Sequence, residues 1–262
     1  MAIPVINLSS LDGSNGFRLD GVTAGDRSGF SVSGAGDVNK DGFDDVIVGA
    51  PRANPSEGYG YPLGSSYLVF GKASGFDAAI ELSSLDGSNG FRLDGGSDHV
   101  LEQSGSSVSN AGDFNGDGYG DLIIGAPQAA SFYQDSIDGF SYVVFGKATE
   151  PGAVLDLSSL QGDDGFGLDG PYYSAFGCSV SSAGDINGDG LDDVIIGARF
   201  YRADRGEGKG ASYVIFGKTS TSQLNGFSII GNYSEFIGAS VSSAGDINGD
   251  GYKDIVVGAS GV

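Results

Sequence analysis

The chain has 262 residues, 39% of them hydrophobic, and carries 34 acidic against 13 basic side chains for a net charge of −21. Such a chain can bury a substantial core. Its charge excludes general binding to nucleic acid or to an anionic membrane surface, because each would meet a polyanion of like sign. One cysteine and one histidine exclude an intrachain disulfide and histidine-rich metal sites, and 48 glycines beside only 7 prolines, with no G-X-Y period, exclude collagen. No run approaches the roughly 18 apolar residues of a membrane helix, and MAIPVINLSS has no basic segment before an apolar core, so no secretory signal peptide is visible.

After that opening, LSSLDGSNGFRLDG (8–21) contains a short alternating stretch, and a first strand is predicted over 16–20. Three more follow at 29–36, 45–50 and 66–71, named A, B and C; the next copy of the opening stretch, at 90–94, supplies a strand D. Glycine and Asx clusters separate them, and no window shows a 3.6-residue apolar stripe, so little helix is expected.

The same series then returns. SVSGAGDVNKDGFDDVIVGAP from Ser31 recurs as SVSNAGDFNGDGYGDLIIGAP from Ser107, SVSSAGDINGDGLDDVIIGAR from Ser179 and SVSSAGDINGDGYKDIVVGAS from Ser240. SYLVFGK, SYVVFGK and SYVIFGK end at Lys72, Lys147 and Lys218, and LSSLDGSNGFRLDG reappears at 82–95, as LSSLQGDDGFGLDG at 157–170 and, decayed, as SQLNGFSIIG at 222–231. The expected repeats are 8–81, 82–156, 157–221 and 222–262, making one partial propeller over 1–262. Four short strands per unit of this length predict an all-β propeller of four-stranded blades, about three and a half of which are present. The series opens on a D strand and closes on a B strand at 254–259, which predicts a larger ring or closure by a partner, a homo-oligomer included.

Between A and B every repeat carries D-x-N-x-D-G-x-x-D. The carboxylates and amide are Asp37, Asn39, Asp41 and Asp45; Asp113, Asn115, Asp117 and Asp121; Asp185, Asn187, Asp189 and Asp193; Asp246, Asn248, Asp250 and Asp254. Hard oxygen donors at alternate positions suit a loop coiled around calcium, with the seventh position (Phe43, Tyr119, Leu191, Tyr252) offering its carbonyl. An EF-hand would need Glu at the twelfth position, where Val48, Ile124, Ile196 and Val257 stand. About four calcium ions per chain are expected, against the alternative that the loops are only Asx turns.

These repeats resemble FG-GAP repeats, the units of the propeller in integrin α subunits and related bacterial surface proteins. The signature stands as Phe176-Gly177, Gly49-Ala50-Pro51 and Gly125-Ala126-Pro127; the first copy has Gly29-Phe30, the second lacks the phenylalanine before Gly105, the fourth has Phe236 displaced from Gly238 by Ile237, and the last two copies end Gly-Ala-Arg and Gly-Ala-Ser. The resemblance implies a propeller of typically seven blades, calcium in the A–B loops on one face, and an adhesive role.

The other face would carry the B–C and D–A loops, which vary most between copies. Tyr59, Tyr61, Phe132, Tyr133, Tyr172, Tyr173, Tyr201, Arg202 and Tyr233 gather there as candidates for binding a protein or polysaccharide; the alternative is that the aromatics pack loops onto the blades. Arg199, Arg202, Arg205 and Lys209 make one basic loop in an acidic chain, and Arg18 and Arg92 are expected in blade-to-blade salt bridges. The first reading is thus a non-enzymatic, calcium-binding adhesion module, extracellular or on a cell surface. A carbohydrate-active enzyme using Asp135, Asp138, Asp204 or Glu235, or a spacer in a large secreted protein, are the alternatives.

Overall fold

The computed structural model describes residues 6–53, 61–96, 101–129, 137–148, 152–202, 208–220 and 223–261. Runs such as Asp-Val-Ile-Val-Gly-Ala and Ser-Tyr-Val-Val, β-branched or aromatic and bounded by turn formers, become strands because their side chains pack well on a pleated surface. The first full blade joins β2 (Ser31–Gly36), β3 (Asp45–Ala50), β4 (Ser65–Val69) and β6 (Gly90–Asp94) in antiparallel order. The second joins β7 (Ser107–Gly112), β8 (Asp121–Ala126), β9 (Phe140–Val144) and β11 (Gly165–Asp169), and the third β12 (Phe176–Gly184), β13 (Asp193–Ala198), β14 (Ala211–Ile215) and β15 (Gly226–Ile230). A final pair, β16 (Ile237–Gly245) with β17 (Asp254–Ala259), is half a blade. Helix among the described residues is confined to single 3-10 turns such as Leu82–Ser84 and Leu157–Ser159. The inner strands β2, β7, β12 and β16 lie side by side, so the sheets are stacked blades of a partial β-propeller.

Two short strands were not expected. β5 (Ala79–Glu81) pairs in parallel with β1 (Arg18–Asp20), and β10 (Val154–Asp156) pairs in parallel with β6. Each belongs to a C–D connection and latches onto the outer strand of the preceding blade. The aliphatic residues of the second latch enter the core between the first two blades: Leu157 is fully buried there with Ile47, Leu68, Phe91, Leu93, Leu122 and Ile124, and Leu155 packs against them.

Arg18 and Arg92 do not bridge blades, contrary to expectation. Arg18 pairs with Asp20 and Arg92 with Asp94, two residues along the same strand and therefore on the same face, with Nε–Oδ1 distances of 2.5 and 2.8 Å. A partial ring would leave an apolar blade face bare at each end, yet one of the two is largely covered. Leu19, Phe76, Ile80, Leu82 and Leu85 cover Val48 and Ala50 of the first blade, leaving Val32 and Phe30 exposed, whereas Val256 is 55% exposed on the half-blade.

The signature residues acquire a physical reason in the contact between blades. A Cβ on Gly49, Gly125 or Gly197 would overlap the carbonyl oxygen of Gly105, Gly177 or Gly238 in the next blade, and Ser31, Ser107 and Ser179 donate a hydroxyl hydrogen bond to those same carbonyls at 2.8 to 3.0 Å. One glycine is required so that the other blade's backbone can approach. Gly125→Ala should therefore cost about 3 kcal/mol in urea unfolding, as overpacking of a tight contact does. Gly258→Ala, where a Cβ would meet only atoms of Ser240 in its own sheet, should cost about 1 kcal/mol or less.

Candidate functional site

Each A strand ends in a register irregularity at its Ala-Gly, between Gly34 and Gly36, Asn110 and Gly112, Ser182 and Gly184, and Ser243 and Gly245. The second residue of each pair, a glycine, is left-handed, with φ of 72, 72, 67 and 69°. This bulge turns the chain out of the ladder and delivers the following aspartate into the A–B loop.

Inside the loops the wiring repeats. Asp37 accepts the Asp41 and Gly42 N–H groups at 3.0 and 2.9 Å, Asn39 accepts that of Asp41 at 3.0 Å, and Asp41 accepts that of Phe43 at 3.0 Å. Asp113, Asp185 and Asp246 likewise accept the N–H of Gly118, Gly190 and Gly251 at 2.9 to 3.0 Å. The loops are also linked around the ring: Gly120 N–H donates to the Asp37 carbonyl, that of Asp192 to Asp113 and that of Lys253 to Asp185. Lys40 adds its ammonium over the Tyr119 ring, 4.8 Å from the centroid.

The ninth-position aspartates differ from the others in being inside. Asp45, Asp121 and Asp193 are buried, and each carboxylate accepts N–H groups from two different elements, Val38 and Gly71, Phe114 and Gly146, Ile186 and Gly217, all at 2.8 to 2.9 Å, Asp121 accepting that of Asn115 as well at 3.3 Å. They tie the A–B loop to the end of strand C. Burial raises their carboxyl pKa values, to about 6, 7 and 6, and the neighbouring loop carboxylates push in the same direction. Asp254 accepts only the Ile247 N–H among the described contacts, and no C strand lies beside it among the described residues.

Among the described residues no three carboxylates are drawn together as a formed metal cluster. The loop carboxylates are turned onto backbone N–H groups instead. The donor set nevertheless fits a hard divalent cation: three carboxylates and one amide in each loop, close enough that Asp41 and Asp37 hinder ionisation of Asp45.

On the opposite face the predicted ligand residues are divided. Tyr59, Phe132 and Tyr133 lie outside the described residues, as do Arg205, Asp135 and Asp204. Tyr61, Tyr172, Tyr173 and Tyr233 are exposed, the rings of Tyr172 and Tyr173 meeting edge to face at 4.6 Å. Tyr201 is half-buried and packs edge-on against Tyr213, at 6.3 Å, so it belongs partly to the core between the second and third blades. Phe200, which the sequence did not single out, and Phe236, marked there only as a displaced signature residue, join Arg202, Gly208 and Ser234 around a hollow of about 370 Å³. Lys209 lies over the Tyr233 ring at 4.4 Å and Arg199 over Phe200 at 4.5 Å.

The two described carboxylates among those considered for hydrolysis, Asp138 and Glu235, hold loops. Asp138 accepts the Tyr173 N–H at 2.9 Å, and its carbonyl accepts the Ser174 hydroxyl at 2.7 Å. Glu235 accepts the Asn232 backbone and side-chain N–H groups at 2.8 and 2.9 Å, which hold its carboxyl below the usual range. These ties support backbone turned left-handed at Tyr173 and Ala175 and at Ser234 and Phe236, with φ between 50 and 63°.

No helix among the described residues is long and apolar enough to cross a membrane. The sequence matches the FG-GAP repeat over residues 28–69, 104–144, 176–215 and 238–262, more than half of the chain. It is similar to integrin alpha pat-2 of Caenorhabditis elegans (31% identity over 89% of this chain and 18% of the relative), to integrin alpha-PS5 of Drosophila melanogaster (35%; 68% and 15%) and to integrin alpha-5 of Xenopus laevis (31%; 89% and 20%). The chain thus spans a fifth or less of these relatives. Four matched repeats, each containing the bulge and the wired aspartate loop, with the glycine contact at the three junctions between them, establish that this chain belongs to the FG-GAP repeat family.

Proposed function

We propose that this chain is a calcium-binding, non-enzymatic adhesion module, working outside the cell or on its surface and binding a protein or polysaccharide through the B–C and D–A loop face. The repeated, mutually linked aspartate loops carry this reading. Asp37, Asn39, Asp41, Asp45 and the Phe43 carbonyl would hold one ion, and the corresponding residues of the other three loops one each. A bound ion supplies positive charge at the first, third and fifth positions. The chain's own residues then fix the blade edges on which the variable loops stand.

The domain reading, four repeats at 8–81, 82–156, 157–221 and 222–262 forming one propeller unit, belongs to the same proposal, as does completion of the ring by further blades or by a second copy. The exposed tyrosines and the cations over Tyr233 and Phe200 give the loop face large, rigid and partly charged contact surface. The hydrolase alternative gains nothing from Asp138 and Glu235, whose carboxylates hold loops.

Binding of the calcium-loaded protein to immobilised cell-surface protein and glycan preparations tests the face. Combined Tyr172→Ala, Arg202→Ala and Tyr233→Ala changes should weaken whatever binding the wild type shows by about 100-fold, the scale of two exposed hot spots. Unchanged binding by the triple variant would remove this face from the account.

A further inference from the structure

The C–D connections are unequal. Those after β4 and β9 run through 20 residues each, 70–89 and 145–164, while that after β14 has 10, 216–225. The two long ones contain Ala79-Ile80-Glu81-Leu82 and Val154-Leu155-Asp156-Leu157, the latches that pair with β1 and β6; the short one has no such counterpart among the described residues.

The outer strand that the third latch would have covered is β11, and it shows the difference. Phe91 and Leu93 under the second latch are 5% and 0% exposed, whereas their counterparts Phe166 and Leu168 are only partly buried. Backbone N–H groups of Arg18 and Arg92 donate outward to Ala78 and Ala153 at 3.0 Å; Gly167, at the same place in β11, has no strand on that side among the described residues. The approach to each strand tells the same story. A Cβ at Gly13 would overlap the Phe76 carbonyl and one at Gly87 would lie 3.0 Å from Gly152, but one at Gly162 would meet nothing within 4 Å among the described residues. A notch of about 360 Å³ opens here, lined among others by Phe145, Gly162, Asp163, Lys218 and Thr219.

We infer that the outer edge of β11 and the adjoining notch form a docking site for an extended segment of a partner protein, added in parallel as a further strand. The chemistry of the occupant follows from the two latches that fill the equivalent places in this molecule: two aliphatic or small residues, an acid, then leucine. Main-chain hydrogen bonds to Gly167 and its neighbours supply pairing, and the aliphatic side chains cover Phe166 and Leu168. β15 likewise has no strand on its outward side among the described residues.

The probe is a synthetic peptide with the sequence of residues 153–160, AVLDLSSL, titrated into the calcium-loaded protein by calorimetry, with amide hydrogen exchange as the second readout. Saturable 1:1 binding below about 1 mM is expected, with slowed exchange in β11. Methylating the backbone nitrogen of the central leucine should weaken it at least tenfold. A variant whose residues 218–225 are replaced by the chain's own 147–164 carries its own third latch; it should lose peptide binding at least tenfold and unfold at a higher temperature than the wild type. No binding to the wild type, or binding indifferent both to N-methylation and to the graft, would overturn the proposal. Ile6-Asn7-Leu8 repeats the pattern of Ile80-Glu81-Leu82 and Leu155-Asp156-Leu157, and Ile6 and Leu8 are exposed; protection of β11 without peptide in a self-associated wild type, abolished by Ile6→Ser with Leu8→Ser, would overturn the proposal by assigning the edge to a second copy. None of these outcomes depends on the loop face.

Discussion

Exhaustive chelation is expected to lower the midpoint of thermal unfolding by about 10 °C or more, and by more at pH 8 than at pH 5.5. A ligand that binds only the folded state stabilises by about 2.7 kcal/mol per site at a hundredfold excess over Kd, and each kcal/mol moves the midpoint of a domain this size by about 2–4 °C. Four sites, even partly filled, exceed the threshold. The pH dependence comes from Asp45, Asp121 and Asp193, whose carboxyl pKa values burial raises to about 6, 7 and 6 without metal. The folded state then holds their protons more tightly than the unfolded state, so ionisation destabilises it. That cost is absent below the ordinary value of 3.8, grows as pH rises towards 6 or 7, and is complete above it. The metal-free protein should accordingly be less stable at pH 8 than at pH 5.5, and calcium, by compensating the ionised carboxylates, should remove most of the difference. Differential scanning calorimetry at the two pH values, with calcium and with chelator, checks both statements; a midpoint indifferent to chelator at pH 8 would leave the loops as turns alone.

The second large effect separates equivalent residues of different copies. Asp121→Ala should cost about 4 kcal/mol, since it leaves the buried N–H groups of Phe114 and Gly146 without their acceptor. Asp254→Ala should cost about 1 kcal/mol or less, because among the described residues that side chain holds only the N–H of the exposed Ile247. Urea unfolding in excess chelator isolates this structural tie from any contribution of metal. Equal costs at the two positions would refute the distinction between tied and untied loops.

Much of this fold could be read from the repeats. Strand B was placed residue for residue at 45–50 and 254–259, because Asp-Val-Ile-Val-Gly-Ala and Asp-Ile-Val-Val-Gly-Ala are bounded by sharp turn signals. Strand C was set one residue late at its start and two late at its end, since Phe70 and Gly71 carry the apolar run past the last ladder pair. The latches β5 and β10 escaped notice: three residues each, they resemble the rest of a connection, and only their parallel partners, dozens of residues away, make them strands. The dual use of the ninth aspartate was equally hidden, because the motif lies within one loop while Gly71, Gly146 and Gly217 come from another. Arg18 and Arg92 were assigned across blades although period-two alternation puts Asp20 and Asp94 on their own face. On the ligand face, composition picked out tyrosines but not the packing of Tyr201 against Tyr213, and it passed over Phe200 and Phe236.

Native mass spectrometry of the intact chain in calcium, repeated after exhaustive chelation, tests the central claim most directly. Four calcium ions per chain, lost on chelation, are predicted from the four aspartate loops. A spectrum with no bound calcium, unchanged by chelator, would contradict it.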